Sequence, residues 1–130
     1  MSSPSLPTTI DCIVVEFPSG DGYRSVGRLV LGGLVSRFEL PVDRVEDLLL
    51  AVESLLQQRL AGDTVRLEAT AAPDGLRLRV GPFGGSPMGD PGVSRVLTRL
   101  VDEVSEEEVD GVDGTQIDLH VSAARLTSTG

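Results

Sequence analysis

Leu48-Leu-Leu-Ala-Val-Glu53-Ser-Leu-Leu-Gln-Gln58 lies near the middle of the chain and decides how the rest is read. With its flanks it places Val45, Leu48, Leu49, Val52, Leu55, Leu56 and Leu60 at three- and four-residue spacing, which predicts an amphipathic helix with a broad apolar stripe. Pro41-Val-Asp43-Arg-Val-Glu46 supplies a start signal: Asp43 is placed to cap amides, and Glu46, three residues on, favours the positive helix end. Gly62 is a natural C-cap position, so the main core helix is expected to run to about Leu60.

Working outward, Val65, Leu67 and Ala69 alternate, Pro73-Asp74-Gly75 turns, and Leu76, Leu78 and Val80 alternate again. That is a β-hairpin whose other face carries Arg66, Arg77 and Arg79. The Gly- and Pro-rich run from Gly81 to Gly92 reads as a mobile loop. Val93, Val96, Leu97, Leu100, Val101 and Val104 then predict a further helix, opening just after Pro91-Gly92. The acidic run from Ser105 to Asp113 has room for a short strand, and Thr115, Ile117, Leu119 and Val121 form a closing one.

On the N-terminal side, Ile10 to Phe17 is apolar and β-branched, a first strand expected to be covered on both faces. From Tyr23 to Phe38, Val26, Leu29, Val30, Leu34 and Phe38 recur at helical spacing, although Gly27, Gly32 and Gly33 each weaken a helix by about 1 kcal/mol relative to alanine. The order predicts an α+β two-layer sandwich, with three main helices on one face of a mostly antiparallel sheet. Residues 1–9 read as a flexible leader, 10–123 as one domain and 124–130 as a flexible tail.

Composition narrows the function. At 130 residues, with a net charge of -9 and a pI near 4.4, the chain is one acidic domain. It lacks the basic stripe that displaces counterions from nucleic acid. All eleven basic residues are arginines, and Tyr23, Phe17, Phe38 and Phe83 are too scattered to form a base-stacking platform. Cys12 is the only cysteine, which excludes a disulfide within one chain and suits a reducing cytoplasm. No apolar run approaches the roughly 20 residues of a membrane span.

The element order, with a Gly-rich loop between a hairpin strand and a helix and Gly114-Thr115 before the last strand, resembles the bacterial anti-sigma-factor serine kinases. These share the histidine-kinase-like, Bergerat-type ATPase fold with gyrase. The likeness spans about Ile10 to Ala123. After Leu50-Ala51-Val52 the family carries a glutamate and, four residues later, a magnesium-holding asparagine; here those positions are Ser54 and Gln58, with Glu53 one place early. A glutamine oxygen can ligate magnesium, but its extra methylene moves the carbonyl outward, and octahedral magnesium tolerates little misplacement. Glu53 points about 100° away from residue 54 around a helix, so it is no simple replacement for a base there.

The strand Leu76-Arg-Leu-Arg-Val80 runs, in the family, into an aspartate-x-glycine-x-glycine motif whose aspartate reads the adenine amino group. That aspartate position is Gly81, which has no side-chain acceptor. Gly84 and Gly85 could still let backbone approach a phosphate. Gly92 could present helix-start amides and Thr115 could touch a base, although capping and β-propensity account for both equally well.

His120 lies opposite Leu119 and Val121 in the strand alternation and is expected on the surface. Glu106, Glu107 and Glu108 with Asp110 and Asp113 lack the ligand spacing and central glycine of an EF-hand, which leaves a solvated acidic edge. The resemblance implies a partner: a sigma factor or an anti-anti-sigma protein. With Gln58 and Gly81 altered together, the expected role is protein-protein regulation in the cytoplasm with ATP binding lost or impaired, and the resemblance implies a homodimer as one assembly. Its contacts would be Tyr23, Arg24, Arg28 and Arg37 on the first-helix side. The alternatives are an ATP- and magnesium-dependent serine/threonine kinase using Glu53 and Gln58, or a small-molecule sensor in the remnant pocket.

Overall fold

A computed structural model describes residues 12–18, 29, 31–33, 40–72, 75–109 and 114–122. Five strands form one sheet: β1 (Cys12–Pro18), β2 (Thr64–Ala72), β3 (Gly75–Phe83), β4 (Glu103–Glu108) and β5 (Thr115–Ser122). Their spatial order is β1-β2-β3-β5-β4, and each neighbouring pair is antiparallel. Two α-helices, α1 (Val42–Leu56) and α2 (Pro91–Leu100), and a 3-10 turn at Pro87–Gly89 complete the named elements. Leu29 and residues 31–33 are helical, within the segment where the first helix is expected. The architecture is therefore α+β.

The hairpin follows the alternation in the sequence. Register places Leu67 opposite Val80 and Ala69 opposite Leu78, then Leu78 opposite Leu119 and Val80 opposite Ile117. These rows are buried and meet Leu48, Ala51, Val52 and Leu55 of α1 and Leu97 of α2 in one core. Each large aliphatic side chain fully buried there contributes about 1.5–3 kcal/mol of hydrophobic driving force. The opposite face is polar, with Arg66, Glu68, Arg77, Arg79, Asp118 and His120 standing on it, as the two-residue period requires. β1 is covered on one side only: Phe17 is buried, whereas Val14 is 43% exposed. The expectation of cover on both sides is thus corrected.

Several expected boundaries move. α1 ends at Leu56 rather than near Leu60, because the following residues pair with the end of β3. Leu60 bridges Phe83, the Ala61 amide donates to the Pro82 carbonyl at 3.0 Å, and the Gly84 amide donates to Arg59 at 2.9 Å. Pairing that satisfies backbone groups against a buried strand outcompetes one more helical turn. The N-cap of α1 is Pro41, with no side-chain cap, so Asp43 sits inside the first turn and acts only on the helix dipole. α2 begins at Pro91 and stops at Leu100, which puts Val104 in β4 rather than in a helix. In the first-helix segment Leu31 is buried and Leu29 is 77% exposed, contrary to a stripe through Leu29.

One charged residue joins the core side of α1. Arg44, with only 8% of its side chain exposed, pairs with Asp47 and with Asp102, each at 2.9 Å. Asp102 also accepts the Ser122 amide at 2.7 Å. A single arginine thus ties α1 to the α2–β4 connection and, through Asp102, to β5. The partners lie 58 positions apart, a pairing that periodicity does not reveal.

Candidate functional site

Four of the residues singled out by the sequence, Gln58, Gly84, Gly85 and Thr115, lie at one end of the sheet, where the end of α1, the segment after β3 and the start of β5 converge. Gly84, Gly85 and Thr115 line a cleft of about 750 Å³, with Arg59, Glu106 and Glu108 also on its walls. Gln58, Gly84 and Gly85 line a smaller neighbouring pocket of about 140 Å³. Glu53, Ser54, Gly81 and Gly92 line neither. Tyr23, Arg24, Arg28 and Arg37 lie outside the described residues, as do residues 1–9 and 124–130.

Much of the segment read as a mobile loop belongs to β3, the 3-10 turn and α2, and the rest is hydrogen-bonded to β4 and β5. Gly81, Pro82 and Phe83 belong to β3, and Phe83 is fully buried. Pro87–Gly89 forms the 3-10 turn, and Pro91 and Gly92 open α2. Glu106 holds the remainder from β4: its carboxylate accepts the Ser86 hydroxyl at 2.6 Å and the Met88 amide at 3.0 Å. From β5, the Thr115 hydroxyl donates to the Gly85 carbonyl at 2.6 Å. Thr115 therefore spends its hydroxyl on the chain itself.

These contacts bear on whether a nucleotide and magnesium would fit. The amides at the start of α2 already have a carboxylate partner, since Asp90 accepts from Gly92 at 2.8 Å and from Val93 at 3.4 Å. That satisfies part of what a phosphate would otherwise satisfy. Gln58 lies beyond the end of α1, and its side-chain amide donates to the Ser54 carbonyl at a long 3.5 Å. It is not presented from a helix one turn beyond residue 54. Gly81 is buried against β5, where a Cβ would come 3.0 Å from the Thr115 carbonyl oxygen. Among the described residues the cleft sets Glu106 and Glu108 against one cation, Arg59, an arrangement that repels a triphosphate. The residues present do not fit the group.

The polar sheet face has its own electrostatics. Arg79 donates to Asp118 at 2.8 and 3.4 Å and approaches Glu107 at 3.7 Å. Its pKa is raised, chiefly by the hydrogen bonds to Asp118 and further by the charges of Asp118, Glu107 and Glu68; partial burial opposes the rise. His120 pairs in register with Arg77 and Glu103 on this face, but it is half-buried rather than exposed, with its Nδ1 shielded from solvent, which corrects the expected surface position. Among the described residues, no group of three or more His, Cys, Asp or Glu side chains is disposed to hold a metal ion.

The sequence reading passed over Arg59 and Asp90 and took Glu106 and Glu108 only for a solvated edge, whereas Arg59, Glu106 and Glu108 line the cleft and Asp90 caps α2 beside it. Asp90 had a legible signal, because an aspartate immediately before proline is a common N-cap and N1 pair. Glu106 had none, since it stands in an acidic run where each member looks alike. No protein-family model and no curated protein matches the chain. Among the described residues, no helix is long and apolar enough to cross a membrane.

Proposed function

We propose that this protein is a cytoplasmic regulator of the anti-sigma-factor type, acting by protein-protein binding on a histidine-kinase-like ATPase scaffold whose nucleotide chemistry is lost. The observation that supports the reading is that the helix-start amides and the Gly-rich segment, which the resemblance would turn toward phosphate, are held by the chain's own carboxylates. Asp90 takes the helix-start amides of α2, and Glu106 ties down Ser86 and Met88. A kinase needs a positioned metal and a polarised phosphate, and catalysis by positioning collapses with small misplacements. The core that supports the scaffold is meanwhile intact around Leu55, Leu67 and Leu119.

The test pairs two measurements on the whole chain. Thermal melting with millimolar ATP, with and without magnesium, is expected to show no stabilisation, whereas a ligand of the native state would raise Tm by mass action. Calorimetric titration against a purified sigma factor and a purified anti-anti-sigma protein is expected to show saturable binding to one of them. Transfer of phosphate to the anti-anti-sigma protein, or failure of both proteins to bind, would overturn the reading. A small-molecule sensor stays in play for one reason, the open 750 Å³ cleft beside the tied loop.

A further inference from the structure

We propose that the cleft between the end of α1, the Gly84–Ser86 turn and the β4–β5 ends binds a small zwitterion of the α-amino acid class. The cleft brings Arg59 together with Glu106 and Glu108 around about 750 Å³. Neither Arg59 nor Glu108 has an ion-pair partner among the described residues. Opposite charges such as Arg59 and Glu108, without an ion pair among the described residues and set around one cavity, are complementary to a ligand that carries both signs.

The geometry of Glu106 adds to this. One carboxylate oxygen accepts from Met88 and the other from Ser86, and each keeps a second lone pair. An ammonium group therefore finds acceptors at Glu106 and Glu108, while a carboxylate is matched by the planar fork of Arg59. The volume lies within the range of about 300–1,000 Å³ typical of small-molecule sites. It leaves room for a ligand side chain beside Leu60, Ala61 and Val109, which also line the cleft.

The cleft is built in advance. Thr115 fixes Gly85, and Glu106 fixes Ser86 and Met88, so binding need order little additional chain. A polyanion is disfavoured by the two glutamates. A dicarboxylate leaves them unmatched, and a diamine leaves Arg59 unmatched. The inference does not depend on partner binding, and either can fail without the other.

The experiment titrates the full chain with each standard L-α-amino acid at millimolar concentration, by calorimetry and thermal shift, with succinate, putrescine and ATP as comparators. Saturable binding of at least one amino acid is expected, with none of the comparators matching it. Arg59→Ala and Glu108→Ala should each weaken that binding at least about tenfold. Both side chains are exposed, so circular-dichroism melts of the two variants should overlay the parent. The proposal is overturned if no amino acid binds, if putrescine or succinate binds as tightly, or if binding survives both substitutions. Sigma-factor or anti-anti-sigma binding, measured on the same two variants, separates this outcome from that of the proposed function.

Discussion

Gly81→Asp is the substitution that would restore the adenine-reading carboxylate of the resembled family, and its expected result is loss of stability without gain of ATP binding. Gly81 is buried in β3, with φ +157°; a Cβ there would meet the Thr115 carbonyl oxygen at 3.0 Å, Gln116 Cα at 3.2 Å and Gln116 Cγ at 3.3 Å. Two of those atoms are backbone of β5, so the strands must separate by a few tenths of an ångström. Overpacking of this kind costs about 1–3 kcal/mol, and the backbone conformation about 1 kcal/mol more for a residue with a Cβ. The carboxyl then adds roughly 1–3 kcal/mol for burying a polar group without a prepared partner. The sum, about 3–7 kcal/mol, is a large share of the roughly 5–15 kcal/mol that holds a domain together. At this chain length, each kcal/mol moves Tm by about 3–6 °C. Calorimetric melting of the parent, Gly81→Ala and Gly81→Asp should give a graded fall, the alanine variant losing only the packing and backbone terms. A Gly81→Asp protein as stable as the parent, or one stabilised by ATP with magnesium, would refute the reasoning.

Arg44→Met should cost about 1–3 kcal/mol in urea unfolding, because a buried guanidinium paired with the partly exposed carboxylates of Asp47 and Asp102 is removed. Adding Asp102→Asn should recover part of that loss. Glu106→Ala should leave global stability within about 1–2 kcal/mol of the parent while accelerating amide exchange at Met88, which hydrogen-exchange mass spectrometry resolves locally. Asp90→Ala should lower stability by about 1 kcal/mol through loss of the α2 cap. Arg79→Met should lower it by roughly 0.2–1 kcal/mol, the range for an exposed cross-strand pair. Because the folded pKa of Arg79 is raised, its contribution is complete below the unfolded arginine value and lost only as pH climbs through the higher folded value. Denaturation curves of parent and variant should therefore differ by the same amount at neutral and mildly alkaline pH.

The sheet was legible wherever one face is wet and the other dry, since Val65-Leu67-Ala69, Leu76-Leu78-Val80 and Ile117-Leu119-Val121 write the two-residue period plainly. The core stripe of α1 was legible for the same kind of reason, through Leu48, Val52, Leu55 and Leu56. What the sequence concealed is tertiary. Gly81-Pro82 reads as a breaker, yet Phe83 continues the strand because its ring is buried and Leu60 bridges it from across the sheet end. The same bridge shortens α1 and moves Gln58 off the helix, so an alignment that counts helical turns misplaces that residue. Gly84, Gly85 and Thr115 line one cleft, but the carboxylate opposite them comes from Glu106, whose place depends on which face of β4 it occupies.

Among the described residues β4 closes one side of the sheet and pairs only with β5, so no described strand lies beyond its outer backbone groups. A bare edge of this kind is a template for a second molecule, and here it carries Glu103, Glu106, Glu107 and Glu108 in six residues. Two such edges brought together would stack carboxylates against carboxylates. Since charges on solvent-exposed side chains are screened within about 8 Å at physiological ionic strength and within about 3 Å in molar salt, the solubility of this protein is tied to the ionic strength around it. Concentrated salt should draw copies together along β4 before it unfolds any of them.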